Sequence, residues 1–204
     1  MSDGGDRGVA RPTPGWVLLL ATITWIVLWY LTPGLHPHGL GRLATGPVAA
    51  ILIETVAAFV IVVAIFLRHG RYNRLLFARS KQVGIYLLPA VLALALPFHY
   101  ALPLPLLVYM VWMTVSVFWQ DYLTFGLLQS YLGERLPSWA TTPIVATAFY
   151  LGHAFLLPDR FAPPHWLPAL GILGMGLACA LVRARLRTLH AVLALHLAFY
   201  FVLA

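Results

Sequence analysis

Seven apolar stretches run along the chain, each parted from the next by proline, glycine or charge: Trp16–Leu31, Pro47–Leu67, Val83–Leu96, Leu104–Leu132, Pro143–Leu157, Trp166–Val182 and Leu189–Ala204. A helix crosses a hydrocarbon core of about 30 Å with roughly 17–25 residues. The pattern therefore predicts an all-α, polytopic membrane protein of about seven transmembrane helices. The third, fifth and seventh stretches are short and must draw neighbouring polar residues into the span. Pro33-Gly34, Pro97, Pro103, Pro105, Gly133, Pro137, Pro158 and Pro163-Pro164 punctuate the gaps, because proline lacks the donor a helix interior needs. Residues 1–15 read as a polar N-terminal tail and 16–204 as a single transmembrane helical domain. The first stretch runs on to Leu31 through Trp29 and Tyr30, too long and bulky for a cleaved signal peptide.

Charge placement adds orientation. With the N-terminus cytoplasmic, the inner loops hold Arg7, Arg11, Arg68, Arg71, Arg74, Arg79, Lys81, Arg135, Arg183, Arg185 and Arg187, and the outer loops only Arg42 and Arg160. Eleven against two is the asymmetry of a protein whose basic loops stay inside. The net charge of +7 is thus a topology signal and a contact for anionic lipid headgroups, and nucleic acid is not an expected partner. Composition agrees: 61% of residues are hydrophobic and 9% charged, where a soluble domain carries about 25% charged. A lone cysteine, Cys179, excludes an internal disulfide framework and any cysteine cluster; among Gly176, Leu177, Ala178 and Ala180 it reads as a small packing residue.

Against this background a few polar residues stand out. Gln120 and Asp121, His153, and His196 lie inside apolar stretches, and an ionisable group in hydrocarbon costs several kcal/mol unless it meets a partner or water. At 1.5 Å per residue, Asp121 falls about 16 Å from the inner face, His153 about 15 Å and His196 about 11 Å. Three helices thus carry polar groups in one layer of the cytoplasmic half, which predicts a shared pocket. Glu54 falls about 11 Å below the outer face, in a different layer. His190, beside Arg185 and Arg187, reads as an interfacial anchor, and His36, His38, His99 and His165 as outer-loop residues. Gly171, Gly174 and Gly176 have the spacing of close helix packing. Asp121, His153 and His196 could also supply three ligands to a catalytic zinc ion, but no local metal-binding motif supports that, and no cofactor is expected.

The polar residues sit in segments that resemble a known family. Trp119-Gln120-Asp121-Tyr122-Leu123-Thr124-Phe125-Gly126 is similar to the first motif, Glu-Glu-x-x-x-Arg-Gly, of the CPBP family, which comprises type II CAAX prenyl proteases and bacteriocin-immunity proteins. Phe149-Tyr150-Leu151-Gly152-His153 matches its second motif, Phe-x-x-x-His. Gly171–Gly174, then Arg187-Thr188-Leu189-His190 and His196, resemble its glycine-rich helix, basic turn and final His-x-x-x-Asn. The resemblance covers a protease-like core of about residues 112–204.

The resemblance implies an intramembrane endopeptidase that hydrolyses peptide bonds with an activated water, in which the first Glu and the motif-two His activate the water and the last His and Asn hold the oxyanion. Here Gln120 replaces that Glu, Asp121 the second, Phe125 the Arg and Tyr200 the Asn. A neutral amide cannot act as a general base, so Asp121 inherits the role, with His153 assisting and His196 and Tyr200 at the oxyanion. The alternative is a non-catalytic pseudo-protease that docks lipid, peptide or a membrane partner as a subunit or immunity-type protein. Either way the expected surroundings are membrane lipids and a membrane-embedded peptide or partner protein, in a bacterial inner membrane.

Overall fold

The structure is a computed structural model that describes residues 14–17, 19, 20, 23, 25 and 40–204, with backbone only at 41, 42 and 156. Most of the first expected span, residues 1–13 of the polar tail, His36 and His38 lie outside the described residues.

Pro47 opens the first long helix, α1 (Pro47–Arg68), where its missing N–H costs nothing and its fixed φ suits the first turn. A short α2 (Gly70–Leu76) follows, and then α3 (Lys81–Phe98), which is 3₁₀ at both ends. The Ser80 hydroxyl accepts from Gln82 N at the start of α3. The central helix α4 (Leu106–Gly133) is continuous but widens into a π-helix over Tyr122–Leu128. After α5 (Ser138–Leu156) come the single turn α6 (Pro158–Phe161), α7 (Trp166–Leu186) and α8 (His190–Val202). Among the described residues there is no strand.

Four of these helices, α1, α3, α4 and α7, are long and apolar enough to cross a membrane. α5 has nineteen residues, but Ser138, Thr141, Thr142 and His153 dilute its apolar character. It also begins five residues before the expected start, so Pro143 is an interior residue. α8 has thirteen residues rather than the sixteen of the expected last span, because Leu189 is held back by donating its N–H to Leu76 O at 2.8 Å.

Cross-contacts sort the loops to two ends of the bundle. At one end Tyr72 and Arg71 meet Glu134, Arg183 meets Ser130, and Thr188 bonds Gln82. The α1–α3, α4–α5 and α7–α8 connections therefore gather there, and with them every basic residue from Arg68 to Lys81, Arg135 and Arg183 to Arg187. At the opposite end His99 bonds Phe201 O, joining the α3–α4 loop to the chain's last turn, beside α6.

The core wraps α4. Trp119, Tyr122, Phe125 and Tyr131 are fully buried there, with Val145 and Phe149 from α5, Ala180 from α7, Leu189 just before α8 and Val192 in its first turn. α5 packs along α7 at a close approach set by Gly176, where an added Cβ would stand 3.2 Å from Ala146 O and from Phe149 Cδ1. Gly171 and Gly174 have open space instead, so only one member of the expected glycine series brings helices together. Cys179 packs against the core as expected. His190 is a packing residue, not an interfacial anchor: it is buried, with Nδ1 3.3 Å from Tyr86 OH and Nε2 3.2 Å from Ala78 O.

Candidate active site

Asp121 closes the α-helical part of α4, and the π-turn begins at the next residue. A π-segment adds a residue to the turn and re-aims the side chains on either side, which is why such segments recur at functional sites. Here Tyr122 leaves the site and donates to Asn73 Oδ1 at 2.6 Å, and Gly126 seats against Leu76 and Leu189. Trp25 Nε1 donates to Thr124 Oγ1 at 2.5 Å, tying the N-terminal segment to the same turn.

Asp121 Oδ1 and His196 Nδ1 share a hydrogen bond at 2.8 Å, and both side chains are wholly shielded from solvent. One proton lies between the two atoms, whichever of them carries it. Asp121 Oδ2 and His196 Nε2 are buried without a hydrogen-bond partner. The His196 ring stacks on Tyr200, with centroids 5.2 Å apart at 26°.

Phe149 links this pair to the second histidine. Its ring centroid lies 4.5 Å from His153 and 6.1 Å from His196. His153 Nδ1 is 2.9 Å from Phe149 O, and a carbonyl only accepts, so the lone pair of that imidazole is on Nε2. Phe125 packs its ring 5.1 Å from Phe149.

Beside these groups lies a cavity of about 520 Å3 whose lining includes Gln120, His153 and Tyr200, with Trp112, Ser116 and Arg160. Gln120 Oε1, Ser116 Oγ and Trp112 Nε1 are buried polar atoms with no hydrogen-bond partner. Unpartnered polar groups in a roomy cavity are the condition for bound water or a polar ligand. Trp112, Ser116 and Gln120 recur every four residues on α4, a spacing that puts them on one face. Sequence reasoning missed Trp112 and Ser116, although that spacing from Gln120 was there to be read.

The structure places the five expected site residues in two adjoining sets: Gln120, His153 and Tyr200 on the cavity, and the Asp121–His196 pair behind Tyr200. Asp121 is not on the cavity wall, because residues 120 and 121 point about 100° apart on the helix and His196 takes up the acid. Asp121, His153 and His196 do not assemble as metal ligands: among the described residues no three His, Cys, Asp or Glu side chains form such a group. Glu54 is buried on the α1 face with Thr55, Ala58 and Val62 and takes no part in the cavity wall.

The height estimate also needs correction. From Ser138, His153 is about 22 Å along α5 and only three residues before its last, Leu156. The cavity is walled by the first halves of α4 and α7, the end of α8, and Arg160 and Phe161 of α6. It thus occupies the half of the bundle away from the basic loops, not the basic half.

A bundle of membrane-length helices thus holds a buried Asp–His pair, a second histidine and a cavity of about 520 Å3. The chain matches, over residues 101–202, the family described as type II CAAX prenyl endopeptidase Rce1-like, and it belongs to that family. The match spans α4 to α8 and thus every residue of the site. Neither a curated protein nor a solved structure matches the chain.

Proposed function

We propose that the protein is an intramembrane endopeptidase of the CAAX type in which a histidine, not a glutamate, takes the proton from the attacking water. The observation that carries this reading is the identity of the cavity's polar wall. Gln120 replaces the family's first Glu there, and His153 is the lining side chain whose imidazole lone pair can take a proton. Gln120 Oε1, an acceptor without a hydrogen-bond partner among the described residues, holds and orients the water, and His153 Nε2 removes its proton as the oxygen attacks the peptide carbonyl; the protonated His153 then gives that proton to the leaving amine nitrogen as the C–N bond breaks. The developing oxyanion falls to the Tyr200 hydroxyl, which replaces the family's amide. His196, stacked on the Tyr200 ring and held by Asp121, positions that tyrosine from behind. One oxyanion donor is worth about 10²–10³ in rate.

The second reading, a pseudo-protease that binds a membrane-embedded peptide without cutting it, is favoured by one observation: among the described residues no carboxylate lines the cavity. Cleavage of a library of membrane-spanning peptides by the purified protein separates the two. Cleavage by the wild type that is lost in His153→Ala and retained at a reduced rate in Asp121→Asn supports the histidine base. Silence of the wild type with activity gained in Gln120→Glu establishes the binding protein.

A further inference from the structure

A second cavity, of about 500 Å3, lies at the basic end of the bundle, away from the site just described, among α2, the end of α4, the start of α5 and the end of α7. Its polar wall includes Arg71, Tyr72, Gln129, Ser130, Glu134 and Arg183. The charges are not balanced within it. Glu134 is engaged by Arg71 at 3.3 Å and by the Tyr72 hydroxyl at 2.6 Å. Arg183 has no carboxylate partner among the described residues. Its Nη2 donates to Ser130 Oγ at 3.2 Å, and its Nε is buried with no hydrogen-bond partner. Arg183 is half-buried; its Nε edge, withdrawn from water with an unused donor, is costly unless an acceptor meets it, and its planar fork matches the paired oxygens of a phosphate.

The rim points to where the phosphate comes from. Leu75 and Leu136 line the cavity and are exposed, and Trp139, two residues from Pro137 on its wall, is 80% exposed. Exposed apolar side chains and a tryptophan beside a basic cluster mark the level of the membrane interface. A headgroup in the cavity therefore leaves its acyl chains against an apolar rim.

We propose that this cavity binds a phosphate ester through Arg183, with Arg71 at its mouth, and that the ester is the headgroup of a phospholipid. Basic pockets between helices at the membrane interface suit this ligand chemistry. The inference is independent of peptide hydrolysis, because none of its residues lines the other cavity.

The test is native mass spectrometry of the full chain in detergent, titrated separately with phosphatidic acid, with diacylglycerol of the same acyl chains, and with inorganic phosphate. Phosphatidic acid is expected to bind at least about ten-fold more tightly than diacylglycerol, and Arg183→Gln to erase that difference. Arg183→Lys, which keeps the charge without the fork, is expected to fall between, and Arg185→Gln, on the exposed side of the same helix, to match the wild type. Arg71→Gln probes the mouth without touching the Ser130 contact, should Arg183→Gln fail to fold. Equal retention of phosphatidic acid and diacylglycerol, or undiminished binding in both Arg183→Gln and Arg71→Gln, overturns the proposal. Binding of inorganic phosphate as tight as that of phosphatidic acid retains the phosphate site and overturns the lipid as its source.

Discussion

The Asp121–His196 pair sets a quantitative expectation. Two ionisable side chains from α4 and α8 meet at 2.8 Å with no solvent exposure, and Asp121 Oδ2 has no other partner to share the load. Hydrogen bonds between membrane helices average about 0.6 kcal/mol in double-mutant cycles, with a maximum near 1.7. Breaking a buried ion pair by removing one partner costs about 3–5 kcal/mol, because the other charge is left alone. The burial here places the pair nearer the second figure. Asp121→Leu and His196→Leu are each expected to cost about 3 kcal/mol, and the double variant distinctly less than their sum. The coupling energy is then expected at about 2 kcal/mol. The assay is reversible unfolding of the purified protein in mixed detergent micelles, completed as a double-mutant cycle. A coupling below about 0.5 kcal/mol would refute the reasoning, since it would make the pair an ordinary neutral contact between helices.

Other expectations follow from single contacts. Gly176→Val drives two methyls beyond a Cβ already 3.2 Å from Ala146 O. It is expected to lose about 1–3 kcal/mol by overpacking, while Gly171→Ala, in open space, holds its melting temperature. Trp25→Phe removes the donor to Thr124 and is expected to cost about 1 kcal/mol in the same unfolding assay. In a Cys179→Ala background, Phe161→Cys and Arg135→Cys are expected to react with a membrane-impermeant maleimide from opposite sides of sealed vesicles. Labelling from the same side would overturn the assignment of α6 and the α4–α5 loop to opposite ends.

The helical class and the crowding of basic residues at one end were legible because both rest on long-range sums: many apolar residues per span, many arginines per loop. Gln120, Asp121, His153 and His196 stood out as isolated polar residues, and Tyr200 only through the motif that it ends. Their vertical order was not legible. It depended on where α5 starts, and Pro143, read as a helix boundary, sits inside a helix that Pro137 precedes. The π-turn at Tyr122–Leu128 was equally hidden, because its causes are tertiary: Asn73 holding Tyr122, and Leu76 and Leu189 closing on Gly126. The burial of His190 escaped for the same reason, since Ala78 and Tyr86 reach it from more than a hundred residues away.

We propose that the departures from the resembled motif at positions 120 and 125 form one electrostatic unit. A pair of adjacent acids near an arginine would place two negative charges and a positive one around the start of the π-turn. Here Gln120 and Phe125 remove one acid and the cation together, and the remaining acid, Asp121, finds its counter-group in His196. Restoring one charge alone should therefore be worse than restoring both. Phe125→Arg puts a guanidinium against the Phe149 ring with no acid in reach on the cavity wall, a buried unpaired charge costing several kcal/mol. Gln120→Glu with Phe125→Arg supplies the pair and is expected to fold better than Phe125→Arg alone, read as the yield of monodisperse protein. Equal yields of the single and the double variant would show that positions 120 and 125 do not sense one another, and that the two departures from the family pattern are separate events rather than one compensated change.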